Sequence, residues 1–105
     1  MEKKLQYKLL VSDRACQMLA GHVRFLTQKS PSAARRTKND LMNAIRSLSI
    51  MPERFPFLTA EFIPLNKYHK MFVEKYYLIL YQIKDKTVFV DYIVDCRQDY
   101  GWLVR

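Results

Sequence analysis

A chain of 105 residues, 50% hydrophobic with only 2 Gly and 4 Pro, has room for one compact domain with short loops and excludes a disordered or collagen-like polymer. Its net charge of +8 is concentrated early: residues 1–54 hold 11 Lys and Arg against 4 Asp and Glu, residues 55–105 hold 7 against 6. A field of that sign and placement favours a polyanion or an acidic protein as partner.

The opening "MEKKLQYKLLV" interleaves charge with apolar residues and has no leader-like apolar stretch. No run in the chain approaches the ~18 residues of a membrane span, so a cytoplasmic protein is expected. Leu5, Tyr7, Leu9 and Val11 alternate with Gln6 and Lys8, the pattern of a half-buried strand. Ser12 and Asp13 end the alternation and can cap a helix. Ala15, Met18, Leu19, Val23 and Leu26 then recur at helical spacing up to Lys29. Ser30 followed by Pro31 signals a second helix start, and Pro52 bounds it. Its apolar stripe is Ala34, Leu41, Ala44, Ile45 and Leu48, with Arg35, Arg36, Lys38 and Arg46 on the remaining surface. The short connection predicts a helical hairpin whose apolar seam seeks a sheet.

Pro56 and Pro64 mark an irregular crossover through "ERFPFLTAEFIPLN". Three strand-like runs follow, Tyr68–Val73, Tyr76–Ile83 and Thr87–Asp95, joined by short polar links that imply a meander of hairpins. Along the last run Val88, Val90, Tyr92 and Val94 would share a face against the helices. Phe89, Asp91, Ile93, Asp95 and Arg97 would share the other, open to solvent or a partner. The expected fold is α+β, in the order β-α-α-β-β-β over residues 1–105 as one domain, an antiparallel sheet packed on the helical hairpin. Cys16 and Cys96 have neither metal-site nor CxxC spacing and read as small core hydrophobes; no disulfide, metal or other cofactor is expected. No serine or cysteine has a hydrolase motif around it.

This order of elements, read with four stretches, resembles the RelE/ParE superfamily of bacterial toxins. "SDRACQMLAGHVRFLTQKSPSAARR" is similar to the family's first helix and its Pro-x-Ala-Ala turn, and "AIRSLSIMPERFPFL" to its helix exit. "YYLILYQIKDKTVFVDYIV" is similar to its hairpin, and "CRQDY" to its terminal Arg-Asp-Tyr segment. The resemblance implies the toxin of a type II toxin–antitoxin (plasmid stabilisation) system, with a cognate antitoxin as partner in a hetero-oligomer. Two targets are implied for such toxins: the ribosome, where messenger RNA is cut, or DNA gyrase. The leading expectation is ribosome-dependent mRNA cleavage; the alternatives are a ParE-like gyrase inhibitor without nuclease activity and a degenerate homologue that only binds antitoxin.

Cleavage by a 2′-hydroxyl needs a base, an acid and a cation for the crowded phosphate. Arg97 suits the last role, since its guanidinium stays charged and can hold two phosphate oxygens. It also matches the arginine that RNA-cleaving relatives carry at the end of the last strand; its alternative is an ion pair with Asp95 or Asp99. Tyr100 matches the C-terminal aromatic that stacks on a base or moves a proton in the family. Lys67, His69 and Lys70 lie where relatives place basic residues, and His69 titrates most readily near neutrality. Arg97, Tyr100, His69 and Lys70 are thus the candidate catalytic set, expected to converge across adjacent strands. Arg35, Arg36, Lys38 and Lys67 are the candidate antitoxin or nucleic-acid contacts. Trp102 and Leu103 are expected to fold back over the core.

Overall fold

The computed structural model describes residues 6–59 and 63–97. The expected order is present: β1 (Lys8–Val11), α1 (Asp13–Lys29), α2 (Pro31–Ser47), then, after a short 3-10 turn at Pro52–Arg54, β2 (His69–Val73), β3 (Tyr77–Lys84) and β4 (Thr87–Asp95). The first strand is shorter than its alternation suggests, and Leu5 lies outside the described residues.

Both helix starts are set by serines. The Ser12 hydroxyl accepts the Ala15 N–H, and the Ser30 hydroxyl accepts the Ala33 N–H. Ser30 also donates its own N–H to the Leu26 carbonyl, so a single residue closes α1 and opens α2. At the far end of α2, Arg54 donates to the carbonyls of Ser47, Ile50 and Met51, supplying partners that the helix terminus lacks.

The sheet order is β1-β4-β3-β2. The three later strands form the antiparallel meander, but β1 joins β4 in parallel, Lys8 facing Thr87 and Val11 facing Val90, so the sheet is mixed. The helical hairpin covers one face. Ala15, Leu41, Ile45 and Leu48 pack there against Ile79, Tyr81, Val88, Val90 and Ile93.

The last strand departs from strict alternation. Leu80 faces Tyr92 but Tyr81 faces Val90, so Asp91 is an extra residue, a β-bulge. Beyond it every side chain changes face. Val88 and Val90 point to the helices as expected; Tyr92 and Val94 do not, and Ile93 and the buried Asp95 take the helix side instead.

The opposite face is not left to solvent. Leu58, Ile63 and Tyr68 of the crossover segment bury Leu78, Leu80 and Val94, forming a third layer. Those three sheet residues are apolar, and the segment that lies over them brings apolar side chains of its own. It is stitched to β2 by a Phe57–His69 bridge and by the bonds Lys70 N–H to Pro56 O and Leu58 N–H to Tyr68 O.

β1 stops at Val11 while β4 runs on to Asp95, and α1 occupies the edge left open. The Ser12 hydroxyl donates to the Asp91 carbonyl, and Nε2–H of the buried His22 donates to the Ile93 carbonyl at 2.8 Å. Cys16, expected in the core, is exposed on α1, and Cys96 is part-buried; neither forms a disulfide.

Candidate functional site

The bulge at Asp91 decides where Arg97 goes. With unbroken alternation it would emerge on the sheet face away from the helices, the face that Lys70 shares. Displaced by one residue, it turns instead toward the hairpin end of α1 and α2. There it lines a polar cleft of about 220 Å³ with Arg36, Thr37, Glu74, Tyr76 and Tyr77.

Asp95 holds the Arg97 guanidinium through both carboxylate oxygens, Nε to Oδ1 at 3.1 Å and Nη2 to Oδ2 at 3.2 Å. The Arg97 backbone N–H adds a third bond at 2.9 Å. Nη2 also donates to the Tyr77 hydroxyl at 3.2 Å, and the guanidinium carbon lies 4.5 Å from the Tyr76 ring centroid. Asp95 is 1% exposed, whereas the Arg97 side chain is 46% exposed: a buried carboxylate carries a half-open cation. Bonding to Asp95 pushes the Arg97 pKa up from its already high value. Burial raises the Tyr77 phenol, Asp95 raises it further and Arg97 opposes both, so Tyr77 is a poorer base than a free phenol near neutral pH. The expected Arg97–Asp95 pair is present; Asp99, the other anion considered, lies outside the described residues.

Across the cleft the Thr37 hydroxyl donates to Glu74 Oε1 at 2.9 Å, fastening the β2–β3 turn to α2. Glu74 is held in the left-handed region at φ 54°. Burial, and the hydrogen bond that its protonated carboxyl donates to Asp40, raise the Glu74 pKa, and the Thr37 bond and the Arg36 charge only partly offset them.

The remaining candidates lie elsewhere. His69 is buried, its Nδ1–H bonded to the Phe55 carbonyl at 2.7 Å and its ring stacked 5.2 Å from Tyr81 and 4.2 Å from Phe57. It faces Tyr81 across the sheet, whereas Asp95 faces Tyr77, four residues along β3. At the rise of an extended strand that separation is roughly 13 Å. Lys70 alternates to the face opposite His69, and Lys67 lies with its ammonium 5.5 Å from the Tyr68 ring. Tyr100, Trp102 and Leu103 fall outside the described residues. The expected convergence of Arg97 with His69 and Lys70 therefore does not form.

Of the α2 cations, Arg36 reaches the cleft, Arg35 is exposed on the outer surface, and Lys38 borders a second feature. This is an open groove of about 360 Å³ between the helices, floored by Cys16, Leu19, Ala20 and Val23 and flanked by Arg24 and Lys38. Among the described residues no group of three His, Cys, Asp or Glu side chains is placed to hold a metal ion, and no helix is long and apolar enough to cross a membrane.

No protein-family model matches the sequence, and no curated protein matches it. Among solved structures, a chain described as "Chromosomal ParDE TA system from P. aeruginosa" superposes with a TM-score of 0.72 at 13% identity, over 88% of this chain and 98% of that one. The fold is ParE-like. At so low an identity the likeness is one of architecture.

Sequence reasoning missed three contributors to this geometry. His22 was legible in principle, since Ala15, Leu19, His22 and Leu26 share one helical stripe. Glu74 sits in a turn whose polarity looks unremarkable. Asp91 carries no mark that separates a bulged residue from an outward-facing one.

Proposed function

We propose that the chain is the toxin of a type II toxin–antitoxin pair, silenced by a cognate antitoxin, and that it acts by binding its target rather than by cutting RNA. The toxin assignment is supported by the ParE-like fold, whose solved neighbour is a chain of a ParDE TA system. The choice of binding over cleavage is carried by one observation: the Arg97 guanidinium is committed to Asp95 and Tyr77, with His69 on a distant stretch of the sheet. A phosphate-stabilising cation needs a proton carrier within hydrogen-bond reach of the same reacting group, and among the described residues neither His69 nor Lys70 stands beside Arg97. Gyrase, the target that the family resemblance attaches to ParE-like members, is the target proposed.

Induced expression alone should arrest growth, and co-expression of an antitoxin encoded beside it should restore growth. Early SOS induction with intact messages is the expected signature. New in-frame message ends on ribosomes, ahead of any DNA damage, would return the function to mRNA cleavage. Unimpeded growth with folded protein would leave a non-toxic binder.

The groove between α1 and α2 suits an acidic amphipathic antitoxin segment, with apolar side chains on Leu19 and Val23 and carboxylates near Arg24 and Lys38. Charge reversal at Arg24 and Lys38 should slow association at low salt by about tenfold and flatten its salt dependence. Stopped-flow mixing with the antitoxin measures both; an unchanged association rate would place the contact elsewhere.

A further inference from the structure

Apart from Lys38, which also borders the groove, the outer ridge of α2 is built from residues that neither the cleft nor the groove uses. Arg35, Lys38, Asn39, Asn43 and Arg46 follow one another at i, i+3, i+4, i+8 and i+11, one side of the helix, and all are exposed. No acidic side chain interrupts them. The one acid of α2, Asp40, turns toward Glu74 on the other side. The ridge spans roughly 16 Å at helical rise. Arg46 is held in place by a 2.9 Å bond from Nη1 to the Asn43 side-chain oxygen. Across the groove, Arg24 of α1 adds a cation beside Lys38.

We propose that this ridge is a nucleic-acid contact surface that seats α2 along the phosphate backbone of duplex DNA. The inference goes beyond the toxin reading and does not depend on it.

Three features favour DNA over an acidic protein as occupant. Stable protein interfaces are built around a desolvated apolar or aromatic core, and the ridge has none: Met42, its single apolar neighbour, is already half-buried. Phosphate contacts need only cations and N–H donors, which Arg, Lys and Asn provide. The charge is of one sign and extended along a rod, as a line of phosphates requires, whereas the adjoining groove combines apolar floor and charged rim and suits a protein helix. Contacts to phosphates carry no sequence information, so binding positioned through them should show little sequence preference.

The experiment is a fluorescence-anisotropy titration of a labelled 20-base-pair duplex of arbitrary sequence with the full-length chain, repeated across a salt series. With three to four phosphates neutralised, affinity should fall roughly 40- to 150-fold between 50 and 200 mM salt. Arg35→Gln with Arg46→Gln should remove two of those contacts and reduce the log–log salt slope by about 1.8, equally for unrelated sequences. Lys84→Gln with Lys86→Gln, on the β3–β4 turn, should leave the slope unchanged, and far-UV circular dichroism shows that each variant is folded. An unaltered slope in the Arg35 and Arg46 variant, absence of binding at 50 mM salt, or displacement of the duplex by polyglutamate at equal charge concentration would each overturn the assignment; the last would hand the ridge to an acidic protein.

Discussion

Asp95 and Arg97 illustrate how one ion pair can be both half-open and structurally important. An exposed pair is worth at most about 1 kcal/mol, because water screens it and both side chains lose freedom. Here the carboxylate is buried, so removal of its cation leaves a charge in a poorly solvated place. Arg97→Ala should therefore lower stability by about 1–3 kcal/mol, and Asp95→Asn in the same background should recover part of the loss. Urea unfolding of the two single variants and the double variant measures the coupling. On the binding reading, Arg97→Ala remains toxic wherever it remains folded; a stable, harmless Arg97→Ala variant would restore a chemical role for the guanidinium. His69 belongs to the same class of side chain. Its ring and its Phe55 bond complete a stack with Tyr81, so its replacement should be felt in stability first.

At the level of elements, the two hairpin turns differ in how much they can be improved. Asp85 and Lys86 form a two-residue loop with φ of 49° and 62°, a conformation that suits Asn-Gly or Asp-Gly far better than Asp-Lys. Lys86→Gly should raise stability by about 0.5–1 kcal/mol, the relief of left-handed strain exceeding the extra freedom gained by the unfolded chain. A thermal melt should show the increase; a lower midpoint would mean that the turn is held by side-chain contacts of Lys86. Glycine at Glu74 should have the opposite sign, because its left-handed backbone comes with the bond that fastens Thr37. The helices were legible because their signals are local: Ser12, the Ser30-Pro31 pair and a stripe with helical period. The meander was legible by its turns. What alternation could not reveal was the bulge, since a period of two carries no information about an inserted residue, and this single residue moved Arg97 to the other side of the sheet. Nor could it show the parallel partner of β1, or a crossover that folds back as a third layer, because both are set by contacts distant in sequence.

Of the phenols that resist ionisation, Tyr81 and Tyr68 are shifted furthest among the described residues. Tyr81 donates to the Pro52 carbonyl at 2.6 Å and is fully buried, and burial pushes its pKa up to about 12; burial first and Asp91 second do the same for Tyr68. A folded pKa above the unfolded value near 10 means that the native state holds these protons longer. Stability is then intact below pH 10 and falls as pH rises toward 12, with each phenol steepening the slope by up to about 1.4 kcal/mol per pH unit. Alkaline unfolding followed at 295 nm should show a cooperative late step, and Tyr81→Phe should make it shallower. A gradual, non-cooperative tyrosine titration would contradict the buried geometry.

The parallel pairing of β1 with β4 has a consequence in time. Lys8 to Val11 wait for Thr87 to Val90, almost eighty residues later in synthesis, and α1 cannot settle along the β4 edge until that strand exists. On a ribosome the hairpin helices and the first meander strands emerge before the element that joins them, so the nascent chain stays an unfinished sheet until β4 is made. If the chain is the toxin proposed above, this delay keeps each new copy inert while it is still tethered. Stalled chains ending before Thr87 should be protease-sensitive throughout, and resistance should appear only once Asp95 has cleared the exit tunnel.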